Sequence, residues 1–310
     1  MSAISKHLDS VVIATANPKL WQDQLSSISS QVIVLLIGNE TYKPDIYKSL
    51  NDLDNLKYAL VYNPPITPRV HTSYLTLLGY LLDGGLGKHN LPGSVWRDFI
   101  ISISRKRIAK ESFISKPYSV LSQGYSNNFA FNFSHMFNKL PGDSLFNLKE
   151  SEAFFKRNRL RDLQFVGQST NRRRENFLKK AKLFGAEIRM TTSFGGTKTS
   201  LDTSYVESLL ESVFTLVPPG HFNNYNHRYA ESLICGSIPC VLSNNSLDPT
   251  PNINWTNSLR FPTNVSSKYQ IKYLLETSPE DRYLIWSKAI KECQNSIKAS
   301  KKLLNSMLAG

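Results

Sequence analysis

The sequence predicts an α/β protein of two lobes, and three observations carry that prediction. The chain has 310 residues, more than one comfortable hydrophobic core and about right for two domains of ~100 to 200 residues each. Its C-terminal half alternates short apolar runs with helical stretches, the pattern of a parallel sheet with helical crossovers. Its N-terminal half contains Gln31 to Ile37, a β-branched apolar run ended by Gly38, which reads as a strand buried on both faces.

In chain order, Val11 to Ala14 reads as a strand, Leu20 to Ile28 as helical, Gln31 to Ile37 as the buried strand, and Tyr58 to Tyr62 as another. Asn63-Pro64-Pro65 ends that strand, because proline continues neither a ladder nor a helix. Ile66 to Phe99 has no clear period, and Phe99 to Ile103 is apolar. Phe/Asn-rich sequence that reads as less ordered precedes Asn138 to Ser151, where Leu-Pro-Gly-Asp-Ser marks a turn. The boundary is placed there, giving an N-terminal lobe over 1–140 and a C-terminal lobe over 150–310.

The second lobe reads as strand Leu163 to Val166, helix Arg172 to Phe184, strand Glu187 to Met190, helix Tyr205 to Glu211, strand Val213 to Val217, helix Asn226 to Cys235 and strand Ile238 to Leu242. Ser278-Pro279-Glu280 then opens a long helix to about Asn305, with proline in the first turn and acidic residues near its start. It is long enough to brace both lobes.

With 41% hydrophobic and 20% charged residues and no low-complexity block, the composition is globular. The longest apolar run, Val32 to Ile37, is far short of the ~18 residues that span a bilayer, so no transmembrane segment is expected. Residues 1–10 lack the apolar core and cleavage site of a signal peptide. That and three sparse cysteines, Cys235, Cys240 and Cys293, point to a cytoplasmic protein with reduced thiols. A net charge of +13 calls for an anionic partner.

Where strands of a parallel sheet end, ligands bind. Two such loops stand out. The first is Phe165-Val166-Gly167-Gln168 followed by Arg172-Arg173-Arg174. Glycine lets a ligand approach the backbone, and arginines in a helix's first turn oppose its macrodipole unless an anion is bound. The second runs from Pro218-Pro219-Gly220 to Arg228 and Glu231, one helical turn apart and so expected to point together into the cleft. Arginine clamps a diphosphate and a carboxylate accepts hydrogen bonds from a ribose diol.

Phe214 to Gly220, then Arg228-x-x-Glu231, Gly236 and the Ile238-Pro239 strand, preceded by Phe165-Val-Gly-Gln168 and followed by Asn254-Trp255, resemble in order the donor-binding core of the exostosin-like glycosyltransferases, family 47. The resemblance covers roughly Leu163 to Pro262. It implies a GT-B architecture of two Rossmann-like lobes and inverting transfer from a UDP-sugar to a glycan acceptor, with no metal or other cofactor required. Carried over by residue, Arg228 would hold the diphosphate, Glu231 the ribose and Arg174 a phosphate, with Gly167, Gln168, Pro218 and Gly220 lining the donor. The likeness lies nearest the xylosyl-transferring members, which implies xylose. The chain departs from the family at Asn226-His227 and Asn254, and its N-terminal half matches only loosely, near Ile37 to Glu40 and Val120 to Tyr125.

Inverting transfer needs a carboxylate to take the acceptor's proton. Glu40, just beyond the buried strand, is the first choice. A fucosyltransferase-like enzyme using a GDP-sugar is the enzymatic rival, since a Gly-x-Ile-Pro strand also occurs there. A nucleic-acid-binding protein would explain the charge, but no stacking platform interleaves aromatics with the basic runs, so no nucleic-acid partner is expected. Excess positive charge also favours peripheral contact with a membrane-borne or anionic acceptor.

Overall fold

Strand β2 (Gln31–Leu36) is buried almost throughout, and its neighbours explain why a run of six apolar-leaning residues is stable there. It pairs in parallel with β1 (Ser10–Thr15) on one side and β3 (Leu56–Val61) on the other, and β3 pairs with β4 (Tyr118–Val120), giving the order β1-β2-β3-β4. Successive side chains alternate faces. Val32, Val34 and Leu36 pack with Leu25 of α1 (Gln22–Ser26) and with Ile46, Tyr47 and Leu50 of α2 (Pro44–Asn51). Ile33 and Leu60 face the other way, against Leu303 and Leu304. The computed structural model describes residues 10–15, 17–36, 44–61, 114–120, 124–168, 172–191, 201–218, 227–242, 259–261 and 275–309.

The second sheet holds β5 (Arg161–Gly167), β6 (Glu187–Met190), β7 (Ser212–Val217), β8 (Ile238–Leu242) and β9 (Leu259–Phe261), all parallel, in the order β6-β5-β7-β8-β9. This is the α/β architecture with two parallel sheets that the sequence predicts. In chain order the second sheet runs 2-1-3-4-5, the doubly wound arrangement whose direction of growth reverses between its first and third strands. Here that reversal falls between β5 and β7.

Between β4 and β5 the described residues form three helices: α3 (Asn127–Phe137), α4 (Pro141–Phe146) and α5 (Leu148–Phe155). Sequence reading treats the first as less ordered and the next two as turn, linker and the start of a charged helix, because Asn and Phe are weak helix formers and Pro141-Gly142 looks like a breaker. The structure corrects this. Ser126 caps α3 by accepting from the Phe129 amide, Phe129 and Phe133 at i, i+4 are fully buried, and Pro141 sits in the first turn of α4, where its missing N–H costs nothing. Phe129, Phe133, Leu145 and Phe154 all pack into the core of the second sheet.

Among the described residues the remaining crossover helices are α6 (Arg172–Leu183), α7 (Ser204–Leu210) and α8 (His227–Ile234). The chain closes with α9 (Pro279–Ala309), 31 residues long. Ser278 caps it, accepting from the Asp281 amide and donating to the Asp281 carboxylate. Trp286, Ala289, Ile290 and Cys293 enter the second core, while Leu303 and Leu304 reach the first sheet. One helix therefore packs on both lobes. Among the described residues no helix is long and apolar enough to cross a membrane.

Candidate functional site

Doubly wound sheets bind ligands beyond the carboxyl ends of their strands at the point of reversal, which directs attention to the ends of β5 and β7. At the end of β5 the backbone of Gly167 adopts φ +152°. A Cβ there would overlap the Arg228 guanidinium, so glycine is what lets that side chain lie across the strand end. Arg228 starts from the first turn of α8 and reaches back to β5. Its Cζ lies 5.1 Å above the Phe165 ring, and its Nη2 is 3.4 Å from the Val166 carbonyl oxygen.

Arg174 arrives from the other direction. It stands in the first turn of α6, is buried, and donates from Nη1 to the Gln168 carbonyl at 3.0 Å. Two guanidinium groups thus bear on the four residues Phe165 to Gln168, from helices α8 and α6. Both belong to helix N-termini, whose dipoles already present positive charge. Like charges gathered at positive helix ends are unfavourable in isolation and complementary to a bound dianion. Gln168 adds a buried Oε1 with no hydrogen-bond partner among the described residues, an acceptor suited to a hydroxyl or imide N–H. Pro218, beyond β7, is buried.

Glu231 is one turn from Arg228 but turns elsewhere. It is only 2% exposed. Its Oε1 accepts from the Ser126 amide at 2.9 Å and the Ser126 hydroxyl at 2.7 Å, and its Oε2 accepts from the Tyr205 hydroxyl at 2.6 Å. The carboxylate therefore sits at the N-terminus of α3, where a negative charge is favoured, and ties α8 to α3 and α7. Burial, and next the facing Glu231 charge, push the Tyr205 phenol well above its ordinary pKa, so it stays a donor. The pair Arg228 and Glu231 thus divides, with Arg228 at the strand end and Glu231 inside a three-helix junction. Spacing alone does not reveal this, because Ser126 lies 105 residues away in sequence.

Arg159 was not singled out by sequence reading, although it holds this half together. Its guanidinium donates to the carbonyls of Phe154 at 2.6 Å and Phe155 at 3.3 Å, Leu209 at 3.3 Å, Leu210, Cys235 at 3.2 Å and Gly236 at 3.0 Å. These are the C-terminal ends of α5, α7 and α8, each carrying partial negative charge. Burial lowers its pKa to about 10, which leaves it charged at neutral pH.

Cys235, Cys240 and Cys293 are buried and form no disulfide among the described residues, and burial raises the pKa of Cys235 and of Cys240 far from the reactive range. Glu40 and Gly220 lie outside the described residues. So do Asn254 and Trp255.

No family model matches the sequence, and no curated protein does. Several chains of solved structures align with it, among them one complex. Described as "Crystal structure of GtfA/B complex", it aligns over 94% of this chain and 57% of its own, with a TM-score of 0.42 and 7% sequence identity. This chain therefore spans a little over half the length of that protein.

Proposed function

We propose that this chain is an inverting glycosyltransferase that moves a sugar, xylose by family resemblance, from a UDP-sugar to a glycan hydroxyl. The observation that carries the reading is that Arg228 and Arg174 both reach backbone carbonyls at the end of β5, beside the reversal point of a doubly wound sheet. That is where such a sheet offers a nucleotide site. Arginines placed there would neutralise the diphosphate as it leaves, the electrostatic part of catalysis that needs no metal.

In the proposed reaction the acceptor oxygen bonds to the anomeric carbon while the bond from that carbon to the UDP oxygen breaks. The hydroxyl proton passes to a carboxylate, for which Glu40 is the proposed base. Gly167, Gln168, Pro218 and Gly220 would line the donor. Glu231 supports the site from behind rather than through a free carboxylate, since protein donors already engage both its oxygens.

The test is thermal stability against a panel of UDP-, GDP- and CMP-sugars. A ligand at about 100 times its Kd stabilises the folded state by about 2.7 kcal/mol. UDP and one UDP-sugar should raise the Tm and the others should not. A shift with GDP-sugars alone would replace the donor, and no shift with any nucleotide would overturn the reading.

A further inference from the structure

Helix α9 has two faces. Trp286, Ala289, Ile290 and Cys293 point inward, while Lys291, Lys298 and Lys302 are exposed. Those three lysines are spaced by seven and four residues, so a helix of 3.6 residues per turn sets them in one stripe. Glu292, the nearest acid in sequence, lies about 100° round the helix from Lys291 and outside that stripe.

Beside the stripe lies an apolar knuckle. Lys298 Nζ is 5.7 Å from the centroid of the Phe146 ring, and Phe146 and Leu148 are 46% and 40% exposed at the junction of α4 and α5. Lys149 next to them is exposed as well. Of the neighbouring carboxylates, Glu150 is paired with Lys139, and Asp143 is the exposed acid of α4. Lys298 beside an exposed aromatic ring, two further lysines along the same helical stripe and Lys149 next in sequence to an exposed leucine, in a chain of net charge +13, form a surface complementary to negative charge with apolar side chains at its edge.

We propose that this face docks the protein on an anionic lipid bilayer, with Phe146 and Leu148 entering the boundary between headgroups and acyl chains and the lysines facing the headgroups. A soluble polyanion would engage the lysines equally, but it would give the exposed ring and leucine nothing to be buried in. None of these residues belongs to the donor site, so the inference stands apart from the proposed reaction.

The experiment is co-sedimentation of the full chain with vesicles of three parts phosphatidylcholine to one part phosphatidylserine, against pure phosphatidylcholine and against single-stranded RNA. Three proteins are compared: wild type, Lys291→Gln/Lys298→Gln/Lys302→Gln, and Phe146→Ser/Leu148→Ser. Melting curves establish that each is folded. Wild type should sediment with the mixed vesicles and not the neutral ones. The lysine variant should lose about tenfold or more of that partitioning, and high salt should do the same. The apolar variant should also lose vesicle binding while keeping whatever affinity for RNA the wild type has. No sedimentation of wild type, undiminished binding by folded variants, or RNA binding without vesicle binding would each overturn the proposal.

Discussion

Gly167 and Arg228 set the geometry of the site at the scale of single residues. Any side chain at Gly167 would displace the guanidinium lying over it. Gly167→Ala should therefore weaken UDP binding by about tenfold, the loss of one charge-assisted contact, and should also lower the melting temperature, because alanine is strained at φ +152° and crowds the Phe165 ring. Equilibrium titration with UDP checks it. Arg159 belongs to the same scale with the opposite emphasis. Removing its charge strands carbonyls at three helix ends, so Arg159→Met should cost about 3 kcal/mol or more in urea unfolding. Its effect on nucleotide affinity, measured where the variant remains folded, should be small.

Among elements, the junction of α3, α7 and α8 is governed by one buried carboxylate. Glu231→Gln removes the negative charge held at the N-terminus of α3, and a glutamine that keeps its oxygen on the Ser126 amide must turn its NH2 to the Tyr205 hydroxyl, which then accepts instead of donating. The variant should lose about 2 kcal/mol of stability by denaturant titration. If Glu231 instead served only as a ribose ligand, stability would be unchanged and nucleotide affinity alone would fall.

The crossover elements of the second lobe were legible because their periods are clean and because β5 ends at Gly167 and β7 just before Pro218. The placing of Gly167, Arg174 and Arg228 was legible too, because the first ends a strand and the other two stand in the first turns of the helices that follow β5 and β7. Helix α3 was hidden because Asn and Phe carry weak propensity, and its stability comes from the burial of Phe129 and Phe133 in a core assembled from distant sequence. Strands β4 and β9 have three residues each, too few to show a period. The partners of Glu231 were hidden because hydrogen bonds across 105 and 26 residues leave no local pattern.

For the whole molecule, α9 carries the connection between lobes. Its first half is buried against the second sheet, and Leu303 and Leu304 lie on the face of the first sheet formed by Ile33 and Leu60. A charge there should loosen the first lobe while leaving the second intact. Leu304→Asp is expected to destabilise by about 2 kcal/mol and to broaden or split the urea transition, since the two cores would no longer unfold together.

The proposed diphosphate site rests on two guanidinium groups, Arg228 and Arg174, at the end of β5. Calorimetric titration of UDP into the wild-type protein and into Arg228→Ala tests it most directly. Saturable binding of UDP by the wild type is expected, with an affinity lower by about tenfold to a hundredfold in the variant, the loss of one or two charge-assisted hydrogen bonds, and the variant still folded. Absence of UDP binding by the wild type, or equal binding by a folded Arg228→Ala, would contradict it.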